Sequence, residues 1–446
     1  MSSSFLHQLL LSPHQQQTIA ISNGTQLTIG DLQRHCHALI VRLSNLETDS
    51  HCLVCDHPWH LLVATLACHQ LGRKVIIPGN LQAGQVTQYL AQWSVVSDRE
   101  ELSEHVELVQ DSGRTEVSTD QFRPIKSDSA LIDLYTSGSS GRPQQIRKSL
   151  KQLELEADCL QSQFGYLVGK RPVISSVSHN HIYGFLFRIV WPLHRGAIFC
   201  CDLIQTEQSL QNKQALKPVF VSSPVFIEQM QQMPSLKKAN QMVFSSGGPL
   251  TFQGAQHSAS LYGEAPTEIY GSTETGGIAW RQQHDMESRW RPFEQVRLDQ
   301  IQNHLVVQSP FIHEGQFATK DKVALHSDGT FTLQGRADRI VKIAEKRVSL
   351  DELERVLLTS ELVADAAVIV APSSQTQRTA AAIVLTQNAQ QAFEHQGKSW
   401  LWRNLRKHLR PYIEPVAIPR RYVVCTDIPK NQQSKRCFLQ LEELLQ

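Results

Sequence analysis

Two short apolar runs, set one helix length apart, constrain the architecture more than any other feature. His51-Cys-Leu-Val-Cys55 and Lys74-Val-Ile-Ile-Pro78 each read as a buried strand. Trp59–Leu71 between them reads as a helix, with Pro58 at its first position. A strand–helix–strand unit joins parallel neighbours, so the chain is expected to build a parallel sheet with helices packed on its faces. Gln26–Leu46 and Gln152–Phe164 read as amphipathic helices, the first after an Asn23-Gly24 turn. Arg171–Ser178, Pro218–Ser222 and Gln241–Ser245 add apolar strands. The predicted class is α/β. At 446 residues the chain is long enough for two or more domains with buried cores.

Several of these strands break into clusters of Ser, Thr and Gly. Leu131-Ile-Asp-Leu-Tyr135 runs into Thr136, Ser137, Gly138, Ser139, Ser140 and Gly141 before Arg142-Pro143. Glycine lets backbone N–H groups approach an anion, and the hydroxyls add donors, a chemistry suited to polyphosphate. No Gly-Lys-Ser/Thr follows at the spacing of a Walker A loop. Gln241–Ser245 ends in Ser246-Gly247-Gly248, where a flat ligand could lie on the backbone. Glu268–Gly277 repeats the design: Tyr270 can stack on a base, Gly271, Ser272 and Thr273 offer backbone and hydroxyl donors, and Glu274 suits magnesium. Arg171–Ser178 delivers His179-Asn-His181 to the start of an apolar helix, Tyr183–Trp191. Taken singly, each loop is equally a plain turn, and His181 is equally a helix cap.

Composition narrows the class further. A net charge of +1 leaves no large basic field, which argues against nucleic acid as the main partner. The first residues, MSSSFLHQLLLSPHQQ, lack the basic start of a signal peptide, and no apolar run is long enough to span a bilayer. Nine scattered cysteines, mostly in apolar segments, fit reduced thiols and a cytoplasmic protein. Cys52, Cys55, His57 and His60 are close enough in sequence for a metal site, but a strand, a turn and a helix start explain all four.

The last ~110 residues read as a second, small α+β unit. Ser349-Leu-Asp-Glu352 has the form of a capping box. Strands are expected at Ala366–Ala371, Ala380–Leu385 and Arg421–Thr426, with a helix over Ser399–Leu409. Before it, Lys322–Gly335 reads as a hairpin about Asp328-Gly329, and Gln295–Gln308 as another.

Three stretches together resemble the adenylate-forming superfamily of acyl- and aryl-CoA synthetases, peptide-synthetase adenylation domains and luciferases. Tyr135–Pro143 is similar to its phosphate loop, Ile269–Gly276 to its adenine and magnesium motif, and Gly335-Arg-Ala-Asp-Arg-Ile-Val-Lys342 to its hinge motif, all in the family's order. Pro429–Lys435 resembles its closing motif. The resemblance implies a large N-terminal domain, 1–335, and a small mobile C-terminal lid, 336–446. It implies ATP and Mg2+, with coenzyme A or the phosphopantetheine of an acyl carrier protein as acceptor for a small carboxylic acid. By the same resemblance Thr136–Gly141 cradles phosphate, and Gly247 and Gly248 flank the adenine and acyl pocket. His181 borders the acid. Asp321 and Arg336 take the ribose, Lys342 belongs to the nucleotide site, and Asp338 is the hinge. Glu274 holds the metal, and Lys435 bridges the carboxylate and the α-phosphate.

The chain departs from the family pattern at Gln144, where lysine is usual, at Glu345 and Ser434, where glycine is usual, and at Lys320 before Asp321. Two functions are therefore set side by side: an acid–thiol ligase acting on an apolar acyl or aryl acid, whose pocket the apolar helix would line, or a nucleotide-binding scaffold that has lost turnover.

Overall fold

The structure is a computed structural model. It describes residues 3–79, 81, 83–102, 107–108, 117–137, 143–230, 242–301, 304–336, 339–343, 346–371, 378–413, 415, 417–430 and 436–445. The chain divides into two compact units, residues 1–298 with 307–317, and residues 299–306 with 318–446.

The first unit holds two sheets. Its strands are β1 (Thr18–Ser22), β2 (Thr25–Thr28), β3 (Ser50–Val54), β4 (Lys74–Pro78), β5 (Ser94–Ser97), β6 (Glu107–Leu108), β7 (Leu131–Ser137), β8 (Pro143–Ser149), β9 (Val173–Ser175), β10 (Phe199–Leu203), β11 (Val219–Ser222), β12 (Val243–Ser245), β13 (Thr267–Ser272), β14 (Gly276–Gln282) and β15 (Arg291–Pro292). One sheet runs β6-β5-β3-β4-β7-β8 and is parallel except for β8, which returns antiparallel to β7. The other runs β15-β14-β13-β12-β11-β9-β10-β1-β2, with a parallel centre from β13 to β1. The expected βαβ unit is present as β3, the helix Pro58–Gln70 and β4. That helix is apolar nearly all round and almost wholly buried, as its sequence requires.

Local signals set the element ends. Asn23 (φ 47°) and Gly24 (φ 81°) form the β1–β2 turn, so the helix starts later than expected, at Ile29. There Thr28 and Asp31 form a reciprocal capping box. Ser149 and Gln152 do the same for the helix Leu150–Val168. The apolar helix expected from Tyr183 to Trp191 is instead a turn of α-helix (Ile182–Gly184), a π-helix (Phe185–Val190) and an α-helical end (Trp191–His194). Phe187 and Trp191 pack on Phe244, and so does Phe164 from the Leu150–Val168 helix.

The second unit contains most of the sheet β16 (Arg297–Ile301), β17 (His304–Gln308), β18 (Gln316–Leu325) and β19 (Phe331–Arg336), in that order. It also contains the pair β20 (Ile340–Ile343) and β21 (Lys346–Ser349), and the sheet β22 (Val363–Val370), β23 (Thr379–Leu385), β24 (Arg421–Val424). The helix Leu350–Leu358 packs its buried face on this last sheet, as does the Leu401–Leu409 stretch of the helical segment Gln387–Leu409. That segment begins twelve residues before the expected Ser399 and is interrupted at Gly397 (φ 73°). The β18–β19 hairpin groups with the later residues, because Arg336 N–H donates to Asp351 of the Leu350–Leu358 helix at 2.7 Å.

Among the buried histidines of the first unit are His7, His51, His69 and His179. Burial lowers them to about 3, 4, 4 and 3 respectively. Unfolded, they would take protons near the ordinary value of about 6.5. The unfolded state therefore gains protons first as pH falls, and stability is lost from about pH 6.5 downward, by about 1 kcal/mol per histidine at pH 5.5. Thermal melts at fixed ionic strength are expected to show a midpoint several degrees lower at pH 5.5 than at 7.5; equal midpoints would refute neutral burial.

Candidate active site

β9, β11, β12 and β13 run parallel, so their carboxyl ends share one edge of the sheet, where ligands of open α/β sheets bind. β9 leads to His179, Asn180 and His181. His179 Nε2 and Asn180 Nδ2 both lie on the Cys55 carbonyl, at 3.0 and 3.3 Å. His181 is half-buried and stands at the N-cap of Ile182–Gly184, but its side chain makes no capping bond. The helix that follows is packed into the core. Phe185, Leu186, Phe187, Ile189, Val190 and Trp191 are all core residues, so the expectation of an apolar acid cannot rest on them. The π-helix also buries Arg188, whose guanidinium donates to the carbonyls of Val177 and Cys201.

β12 runs into Gly247 (φ +93°) and Gly248, both exposed. A Cβ at Gly248 would meet only Pro224 Cγ, at 4.0 Å, which leaves an open backbone face. Ser246 Oγ donates to the Ile269 carbonyl at 2.8 Å and ties this loop to β13.

β13 ends at Tyr270, Gly271 and Ser272, and the turn Thr273-Glu274-Thr275 leads into β14. Ser272 N–H donates to Thr275 Oγ1 at 3.0 Å, and Thr275 N–H to Ser272 Oγ at 3.3 Å. Gly271 is required by close approach: a Cβ there would lie 2.2 Å from the Gly276 carbonyl. Tyr270 is half-buried against Trp290, ring centroids 5.5 Å apart, and Arg281 covers the Trp290 ring at 4.4 Å. Glu274 is half-exposed, and among the described residues its carboxylate has no hydrogen bond or ion pair.

Two charged residues beneath this turn have no counterpart in the sequence reading. Lys148 of β8 is 1% exposed and donates to the carbonyls of Glu274 and Phe311, at 2.9 and 2.7 Å. Burial lowers its ammonium to about 8, against the pull of Glu156 and Glu274. Glu156, on the helix Leu150–Val168, accepts from Gly277 N–H at 2.6 Å, and burial raises its carboxyl. Both could have been suspected. Lys148 shares its strand face with Ile146, and Glu156 lies on the helix face of Leu153 and Leu160.

Thr136 and Ser137 end β7, opposite Gln144 and Pro143 in the ladder. Their side chains, and the residues Gly138, Ser139, Ser140 and Gly141, fall outside the described residues. In the second unit, Asp321 and Arg336 are ladder partners, and Arg336 Nη1 is 3.4 Å from Asp321 Oδ1. Lys342 lies in β20 opposite Arg347, its side chain undescribed. Asp338, Glu345, Ser434 and Lys435 are outside the described residues. Lys430 and Arg436, which flank the last two, form a β-bridge, and Arg436 pairs with Glu354 and Asp365.

The cysteine–histidine cluster is strand, turn and helix start. Cys52 and Cys55 are fully buried, and His57 precedes Pro58 at the N-cap. Asp98 accepts from the N–H groups of Asp56 and His57, at 2.9 and 2.8 Å, and lies 3.0 Å from His60 Nδ1. Among the described residues no helix is long and apolar enough to cross a membrane.

Residues 74–297 match the family described as AMP-binding enzyme, and residues 352–435 match the AMP-binding enzyme C-terminal domain. The chain belongs to the AMP-binding enzyme family. Among curated relatives, this AMP-binding enzyme is 26% identical to a 4-coumarate–CoA ligase of Cereibacter sphaeroides, over 76% of this chain and 75% of that one. A shorter stretch is 31% identical to an acetyl-coenzyme A synthetase of Methanothrix thermoacetophila, covering 28% of this chain and 18% of that one. Among solved structures it resembles ATP-bound MatB from Rhodopseudomonas palustris, with a TM-score of 0.83, 17% identity and 99% of both chains covered, a likeness of fold.

The turn generates a steric prediction. Gly271→Ala is expected to lose about 2 kcal/mol or more in urea unfolding, because the added methyl meets backbone. Gly248→Ala should stay within about 0.5 kcal/mol of the parent. Equal values for the two would show that the turn is not packed as described.

Proposed function

We propose that this AMP-binding enzyme activates a small carboxylic acid with ATP and transfers the acyl group to the thiol of coenzyme A or of a carrier-bound phosphopantetheine. The observation that carries the reading is the Glu274 turn, whose carboxylate, unpaired among the described residues, stands at the shared carboxyl edge of a family-matched sheet. The similarity to a 4-coumarate–CoA ligase over three quarters of both chains supports it.

In the first step a carboxylate oxygen attacks the α-phosphorus, the α–β phosphoanhydride bond breaks, and pyrophosphate leaves with the bonding pair. In the second, the thiol sulfur attacks the acyl carbon, gives up its proton, and AMP leaves. The obstacle to the first step is repulsion between two anions, so donors and cations fixed in advance carry the rate. Glu274 fits a hard cation, being a half-exposed carboxylate with no hydrogen bond or ion pair among the described residues. Magnesium held there would neutralise phosphate charge. Thr136, Ser137, Ser139 and Ser140 would donate to the phosphates, with Gly138 and Gly141 allowing backbone approach. Gly247, Gly248, Tyr270, Gly271, Ser272 and Thr273 would hold adenine and the α-phosphate, and His181 would border the acid. Asp321 accepts well from a ribose diol, with Arg336 beside it and Lys342 completing the nucleotide set. Lys435 would bridge the carboxylate and the α-phosphate, and residues 336–446 would swing about Asp338 between the two steps.

Acid-dependent exchange of labelled pyrophosphate into ATP, across a panel of small acids, tests this. Exchange is expected for at least one acid, and Lys435→Ala should lower it about 100- to 1,000-fold. ATP binding without exchange for any acid would overturn the ligase in favour of a nucleotide-binding scaffold.

A further inference from the structure

The Glu274 turn is pinned from below at two points three residues apart, and both pins are buried charges. On one side the Lys148 ammonium holds the Glu274 carbonyl at 2.9 Å and the Phe311 carbonyl at 2.7 Å. On the other, Glu156 accepts the Gly277 N–H at 2.6 Å. Gln152, one helical turn before Glu156, adds a donor to the same Phe311 carbonyl at 3.2 Å. The fit is close. A Cβ on Gly276 (φ +69°) would lie 2.7 Å from Glu156 Oε2, and one on Gly277 would lie 3.1 Å from Oε1.

An ammonium and a carboxylate buried to this degree are costly, and a core position needing only volume would take Leu or Met. What the charges achieve here is geometric. Lys148 belongs to β8, the strand that continues from the Thr136–Arg142 stretch, whereas Glu274 follows β13 of the other sheet. The ammonium is thus a direct link between the β7–β8 pair and the turn that bears the Glu274 carboxylate.

We infer that Lys148 and Glu156 are positioning residues, a buried clamp that fixes where the Glu274 carboxylate sits and hence how a divalent cation with nucleotide phosphate is received. The inference rests on the reading of Glu274 as the metal carboxylate. Neither residue touches substrate in this scheme. They act through the backbone, at the Glu274 carbonyl and at the Gly277 N–H three residues on. A shift of about 1 Å in a positioned group costs on the order of 100-fold in rate, which sets the scale of the expected effect.

The test uses the full-length protein, with Lys148→Met, Glu156→Gln, Glu274→Gln and the Lys148→Met/Glu274→Gln double variant. Calorimetry measures ATP binding with Mg2+ and with EDTA, and pyrophosphate exchange is titrated with Mg2+. Lys148→Met is expected to weaken ATP binding about 10-fold with Mg2+ but less than about twofold in EDTA, and to raise the Mg2+ needed for half-maximal exchange by a similar factor. The KM for the acid should stay within about twofold. In the Glu274→Gln background, Lys148→Met should change little further, since it acts through that carboxylate. Glu156→Gln keeps an acceptor for Gly277 N–H but removes the facing charge, and a rise of about threefold in the Mg2+ requirement is expected. Parental Mg2+ dependence in Lys148→Met, or multiplying effects in the double variant, would overturn the clamp. If Lys148→Met does not fold, parental Mg2+ dependence in Glu156→Gln overturns it instead. A parent protein that neither exchanges nor shows Mg2+-dependent ATP binding brings down the ligase reading itself, a result distinct from an active parent with unaffected variants.

Discussion

Parallel strands in one sheet all point their carboxyl ends the same way, and the candidate site depends on that constraint. In the sheet from β13 to β9, four consecutive neighbours end along one edge, so segments as far apart in sequence as His179–His181, Gly247–Gly248 and Tyr270–Glu274 leave from the same side. The strands themselves are sealed: Ile174, Phe220 and Phe244 are fully buried. A rigid apolar layer thus carries loops that present exposed Gly247, Gly248, Gly271 and Ser272 along that edge.

Charge is treated in opposite ways above and below that edge. Above it, Glu274 keeps a carboxylate half in solvent and unpaired among the described residues, while Gly247 and Gly248 present bare backbone. Below it, Lys148 and Glu156 are taken out of water and satisfied by backbone carbonyls and an N–H. A low-dielectric layer under the turn strengthens those bonds and leaves no water to loosen them. The same separation recurs on the flank of Tyr270, where Glu268 is buried and paired with Arg281, and Arg281 in turn covers Trp290 behind the tyrosine ring. In the second unit, Glu354 gathers Arg339 and Arg436 onto one helix, so a residue of the hinge motif and the residue after Lys435 share one anchor.

Much of this was legible from residue order. The βαβ unit at His51–Pro78, the Asn23-Gly24 and Asp328-Gly329 turns and the strand-then-loop rhythm all depend on interactions within a few residues, and each appears close to its expected place. The mismatches have long-range causes. The segment after His181 contains a π-helix, and its Arg188 reaches the Val177 and Cys201 carbonyls from inside the core. Its apolar side chains, read as a pocket wall, are instead packed on Phe244. A hydrogen bond from Arg336 to Asp351 joins the β18–β19 hairpin to a later helix, a contact that residue order does not announce.

Sequence alone determined the α/β class and the order of the strand-end loops, because spacing and turn chemistry are local properties of the chain, and Glu274, Asp321 and Arg336 became candidates through their resemblance to a family's ordered motifs. Only the tertiary structure decided that Lys148 and Glu156 stand beneath the Glu274 turn. These residues meet a turn more than a hundred positions away in sequence, at separations of 126 and 121 residues. Whether a charged side chain is solvated or buried against distant backbone depends on which elements pack over it, and no local pattern encodes that.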